Sequence, residues 1–156
     1  MSIWWSLHLR REAASVPLAR RLLLGAMETA GVDPDISFDL SVALSEACAN
    51  AVEHGGASGV PDETEAYRVT AYLDGDCCRI EVTDSGPGFP PATVARHRPA
   101  SAEHGHRPVL AEHGRGLCLI EELADHVRFR NRPGRGAVVS FDKMLKWRDD
   151  ARLLVS

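Results

Sequence analysis

Two hydrophobic periods divide this chain. Ala19, Leu22, Leu23, Ala26, Met27 and Ala30 recur at i, i+3, i+4, i+7, i+8 and i+11, which is one face of an amphipathic helix. Arg20, Arg21 and Glu28 lie off that stripe. Ser15 is placed to cap this helix, with Pro17 in its first turn, and Gly31 is placed to stop it. A second helix is expected from about Asp33-Pro34 to Gly55-Gly56, with Leu40, Leu44, Ala47 and Ala51 as its apolar stripe. The period then drops to two. Val69, Ala71 and Leu73 face one way, and Arg68, Thr70 and Tyr72 the other. Asp74-Gly75-Asp76 turns the chain, and Cys78, Ile80 and Val82 continue the inward face on the return. An earlier strand is expected over 4–10, where consecutive Trp4 and Trp5 point to opposite sides, one inward and one free for contacts. A third helix is expected over 117–125, and two last strands over 127–130 and 137–141 flank a turn at 131–136.

The order β-α-α-β-β-loop-α-β-β predicts an α+β fold. Helices are layered on one face of a mostly antiparallel sheet, a two-layer α/β sandwich forming one domain over residues 1–156. At that length roughly 70% of the unfolded surface is buried, enough for an ordinary core. Between Gly88 and Gly114 both periods fail. Pro90, Pro91, Pro99 and Pro108 interrupt any long element, although a short helix over 92–97 fits. Such a stretch is a misread element, a linker or a functional lid, and its flanks decide which.

Composition narrows the setting. A net charge of −4 argues against a broad nucleic-acid footprint. No run of eighteen apolar residues occurs, and the first residues lack the small-residue cleavage site of a secretory signal, so a cytoplasmic protein is expected. Cys48, Cys77, Cys78 and Cys118 form no C-x-x-C pair and read as small residues of a reducing compartment.

Three segments carry candidate chemistry. In LSEACANAVEHGG, residues 44–56, Glu46 and Asn50 share a helix face that Glu53 joins at i+7. At about 100° per residue, that face lies roughly 120° from the apolar stripe. One side of the helix therefore packs while another offers a carboxylate and an amide. Oxygen ligands of this kind suit Mg²⁺, which often binds through one or two protein groups plus phosphates. In VTDSGPGF, residues 82–89, a strand ends in Asp84, followed by Gly86 and Gly88. The carboxylate accepts from an amino group, and the glycines admit a ligand close to the backbone; a plain tight turn has the same pattern. In HGRGL, residues 113–117, glycines run into a helix N-terminus, whose free N–H groups and partial positive charge attract phosphate.

Each motif is weak by itself. The ordered set, E-x-x-x-N on a helix, D-x-G-x-G after a strand and G-x-G-L opening a helix, resembles the ATP-binding fold shared by gyrase B subunits, sensor histidine kinases and serine-kinase anti-sigma factors. It is most similar to the last group, and the resemblance covers nearly the whole chain. It implies that Asn50 coordinates Mg²⁺ on the ATP phosphates and that Glu46 is the general base. Asp84 accepts the adenine amino group, Gly86 and Gly88 let the backbone pass the nucleotide, and Gly114, Arg115, Gly116 and Leu117 hold phosphate. Residues from about 89 to 113 become the ATP lid.

The implied activity is an ATP-dependent protein serine/threonine kinase that sequesters a sigma factor and phosphorylates an anti-sigma-factor antagonist, working as a homodimer. A non-catalytic nucleotide-binding module acting by sequestration alone is the alternative. The family often places threonine or serine after a late glycine to help bind adenine; here Ala137 follows Gly136. The lid histidines His97, His104, His106 and His113 match no zinc spacing, and with Arg96, Arg98 and Arg107 they read more simply as attracting phosphate.

Overall fold

A computed structural model describes residues 2–54, 65–89, 94, 114–132 and 136–148. The elements run β1 (Ser2–Arg10), α1 (Ser15–Ala30), α2 (Pro34–His54), β2 (Ala66–Asp74), β3 (Cys77–Thr83), α3 (Gly114–Leu123), β4 (His126–Arg132) and β5 (Gly136–Met144). The five strands form one sheet in the order β1-β2-β3-β5-β4, and every neighbouring pair is antiparallel. The α+β reading therefore holds.

Strand alternation sets which face carries the core. Tyr67, Val69 and Ala71 of β2, Cys78, Ile80 and Val82 of β3, and Ala137, Val139 and Phe141 of β5 are buried in one cluster with the helices. Trp5 packs against that cluster while its neighbour Trp4 stays 68% exposed. Helix α2 lies at the centre of the helical layer, in contact with α1, α3 and β3. Its stripe of Leu40, Leu44, Ala47 and Ala51 is buried as expected, joined by Ala43 and Cys48. Each leucine there contributes about 1.5–3 kcal/mol of transfer free energy.

Local chemistry fixes the helix ends. Asp33 Oδ1 accepts from the Asp35 N–H at 2.8 Å, and Pro34 occupies the first helical position of α2. Gly31 closes α1 at φ 86°; its N–H donates to Glu28 O, and the Val32 N–H reaches back to Met27 O. Among the described residues no helix is long and apolar enough to cross a membrane.

Three details differ from the sequence reading. Ser15 does not cap α1 but is its first residue, buried with its hydroxyl on Glu12 O and on the Tyr67 hydroxyl at 2.6 Å. The α1 stripe is half covered. Ala19, Leu23 and Met27 are buried, but Leu22, Ala26 and Ala30 are exposed, because α1 flanks the layer and packs chiefly against α2. Finally, β4 runs on through Asn131 and Arg132, which were expected in the turn, and both pair with β5.

Candidate functional site

The site forms where α2 ends over the β3–β5 pair. Asn50 and His54, one turn apart on α2, line a small pocket with Asp84, Gly88, Phe89 and Ala137. Two of the three sequence segments thus meet. Glu46 lies one turn before Asn50 on the same helix face and is half-buried; it is not among the pocket-lining residues. Glu53 turns out to be solvated, with its carboxylate 3.4 Å from His54 Nε2. The third member of the face is His54, which the i, i+4 spacing from Asn50 already contained.

Asp84 is 7% exposed and sits just past the end of β3. Its N–H donates to Ala137 O at 3.0 Å. Its Oδ1 accepts from the N–H of Gly86 at 2.9 Å and the N–H of Ala137 at 3.2 Å. Among the described residues Oδ2 accepts no hydrogen bond, so one carboxylate oxygen remains for a ligand in the pocket. Burial raises the carboxyl above its ordinary range, opposed by the two backbone N–H groups and by the charges of Arg11 and His54.

Glycine is required at two places on this wall. Gly136 has φ 108°, and a Cβ there would collide with Asp84 O. Gly88 has φ 88°, and a Cβ would lie 2.6 Å from Asn131 Oδ1. That contact arises because the Asn131 amide clasps the next residue. Its Oδ1 accepts from the Phe89 N–H at 2.6 Å, and its Nδ2 donates to Phe89 O at 2.9 Å. The Phe89 ring then meets Phe129 edge-to-face, with centroids 5.1 Å apart. The amide thus anchors the Phe89 backbone just past Gly88.

Ala137, which follows Gly136, is brought beside Asp84, and both its backbone N–H and C=O bind Asp84. In the third segment, helix α3 begins at Gly114 rather than near 117, so Gly114, Arg115 and Gly116 form its first turn. Leu117 is 2% exposed in the core, leaving only its backbone for any ligand contact. The expected lid over 89–113, with its four histidines and three arginines, lies outside the described residues apart from Phe89 and the half-buried Val94. All four cysteines are free, and burial pushes the thiols of Cys48 and Cys78 up to about 12, so neither is a nucleophile at neutral pH.

The arrangement suits an adenine nucleotide. Asp84 Oδ2 has the chemistry to accept from an exocyclic amino group, and Gly88 and Asn50 line the same pocket. Among the described residues no three His, Cys, Asp or Glu side chains cluster as a metal cage. A divalent ion fits this donor set where most of its ligands come from phosphates and water, with the Asn50 amide oxygen as a protein ligand.

Comparison with known proteins agrees with this geometry. Residues 9–143 match the histidine kinase-like ATPase domain. An anti-sigma F factor from Pasteuria penetrans is 34% identical over 124 residues, covering 75% of each chain. The RsbU and RsbW domains of Rv1364c from Mycobacterium tuberculosis superpose with a TM-score of 0.63 at 24% identity, over 92% of this chain and 34% of that one. The mycobacterial sensor histidine kinase MprB superposes with a TM-score of 0.51 at 15% identity, over 93% of this chain and 99% of its own. The two structural likenesses show the fold, and the present chain spans about a third of Rv1364c's. The domain match and the curated relative go further: the chain belongs to the histidine kinase-like ATPases, and among them to the anti-sigma factor kinase family.

Proposed function

We propose that this chain is an ATP-dependent anti-sigma factor that also phosphorylates a serine or threonine of a small antagonist protein. The observation that carries the reading is the pocket in which Asn50 and His54 of α2 meet Asp84 and Ala137 from the sheet. Adenine recognition falls to the free Asp84 oxygen. Asn50 and the backbone N–H groups at the first turn of α3 would hold the phosphates. Asn50 would hold Mg²⁺, which would supply charge neutralisation for the transferring group. Glu46 takes the proton of the attacking hydroxyl as its oxygen bonds to the γ-phosphorus and the bond to the β-phosphate oxygen breaks, releasing ADP. The sigma factor, the antagonist and a homodimeric assembly are the partners this reading implies.

The test uses ATP labelled on its γ-phosphate with the purified protein and candidate antagonists. Label is expected on a serine or threonine of one antagonist. Glu46→Ala should keep nucleotide affinity and lose transfer by about 10²–10⁴-fold, as expected for removing a general base. Asn50→Ala should lose the Mg²⁺-dependent part of ATP binding. Tight binding of ATP and Mg²⁺ by the intact protein with no antagonist labelled would establish the non-catalytic alternative instead.

A further inference from the structure

Helix α2 directs its C-terminal end at the pocket. Asn50 directly precedes its last turn, and the carbonyls of 51–54 are the four that no intrahelical N–H can satisfy. Such an end carries partial negative charge, about half an elementary charge when the dipoles are aligned. It therefore frays easily and repels phosphate, both of which work against a nucleotide site.

Arg11 answers both problems. It sits between β1 and α1, distant in sequence from every motif, yet its side chain is 0% exposed. Its Nε donates to Ala51 O and its Nη2 to Glu53 O, each at 3.2 Å. On its other side Nη1 meets Glu65 Oε2 at 3.2 Å, and the Arg11 N–H donates to Glu65 O at 2.9 Å. One guanidinium thus ties the last turn of α2 to the β1–α1 junction and to the approach to β2. A buried arginine is retained only where its donors and charge are matched, and here two of its partners are carbonyls of the turn between Asn50 and His54.

We propose that Arg11 is the positioning and charge-balancing residue of the phosphate half of the site. It fixes the Asn50–His54 turn and cancels the negative helix end, so that polyphosphate can lie beside a helix C-terminus. The inference rests on the nucleotide reading above and adds a residue that no motif marks. Because the effect is electrostatic, its signature scales with ligand charge. Loss of a merely structural residue would weaken every ligand by the same factor.

The experiment measures binding of adenosine, ADP and ATP, each with Mg²⁺, by calorimetry on the full chain. Arg11→Gln is expected to weaken ATP by about tenfold, ADP by less, and adenosine by no more than about twofold. Arg11→Lys, which returns the charge, is expected to bring ATP back to within about threefold of the native protein. Equal loss for all three ligands, or native ATP affinity in Arg11→Gln, overturns the proposal. Where Arg11→Gln does not fold, Glu65→Gln decides. It leaves the guanidinium on the helix and removes its counter-charge, so ATP affinity should rise about twofold to threefold relative to adenosine. An unchanged or falling ratio overturns the proposal. A native protein that binds none of the three ligands defeats the nucleotide reading itself, whereas native binding with an equal loss in the variants defeats only the role of Arg11.

Discussion

The two walls of the pocket are built by opposite means. On the α2 wall, Asn50 and His54 enter the pocket as side chains from a helix whose other face is locked into the core by Leu40, Leu44, Ala47 and Ala51. On the sheet wall, Asp84, Gly86 and Ala137 are joined to one another through backbone groups, and the Asn131 amide grips the backbone of Phe89. A side-chain wall separates function from folding, because the groups that touch a ligand are not the groups that pack. A backbone wall fuses the two, since the carboxylate that offers Oδ2 to a ligand also holds the turn together with Oδ1.

The largest expected effect breaks that contrast open. Asp84→Ala removes the proposed amino-group acceptor and leaves the N–H groups of Gly86 and Ala137 without their shared partner. A charged hydrogen bond is worth about 1.5–3 kcal/mol, so ATP affinity should fall about 10–100-fold. Each orphaned buried donor costs about 1–3 kcal/mol, so the melting temperature should fall as well. Asp84→Asn keeps an oxygen for the two N–H groups but turns an amide N–H₂ toward the ligand; it should lose affinity with most of the stability retained. On the other wall, Asn50→Ala should lower Mg²⁺-dependent affinity while moving stability by no more than about 0.5 kcal/mol. A large loss of stability in Asn50→Ala, or none in Asp84→Ala, would show that the walls do not differ in this way. Thermal melts beside binding titrations measure both.

The same difference explains how far the sequence could be read. Glu46 and Asn50 are four apart on an amphipathic helix, so their shared face follows from periodicity alone, and His54 was present in that spacing. The sheet alternation likewise marked Val69, Ala71, Ile80 and Val82 as inward. Arg11 and Asn131 carried no such signal. Each acts on backbone atoms about forty residues away, Arg11 on Ala51 and Glu53, Asn131 on Phe89, and no local pattern encodes a contact made by the fold itself. The exposed half of the α1 stripe was misread for a related reason. Periodicity shows that a helix has an apolar face but not how much of that face its neighbours cover, and among the described residues α1 packs chiefly against α2.

A smaller effect follows from the state of Asp84. Burial raises its carboxyl above the ordinary range, so the folded protein takes up that proton more readily than the unfolded chain. Its contribution to stability is therefore favourable below the unfolded value and is lost as pH rises through the folded one. Ligand affinity runs the other way, because Oδ2 is the stronger acceptor when ionised. Acidification from neutral pH should weaken ATP by about tenfold for each unit below the raised midpoint, with no loss of stability traceable to Asp84. Calorimetry across about pH 4–7 would locate that midpoint above the ordinary carboxylate value. A midpoint at or below that value would mean that the sheet wall does not hold Asp84 as a desolvated acid.

The smallest expected effect concerns Ala137. Its methyl lines the pocket, and its N–H and C=O are both spent on Asp84, so everything it does for the carboxylate is done by backbone. Any β-compatible residue should preserve that, and threonine suits a strand. Ala137→Thr should therefore leave the Asp84 lock intact and add a hydroxyl to the pocket wall. A hydroxyl that finds a partner on adenine is worth about 0.5–1.5 kcal/mol, a gain of about threefold to tenfold in ATP affinity. Ala137→Val adds the same bulk without the hydroxyl and should gain nothing. If threonine and valine weaken ATP alike, the pocket is closed by volume at this position, and alanine is there to make room for the base. If threonine alone strengthens it, the native site already works with a backbone wall, and the side chain is an optional addition to it.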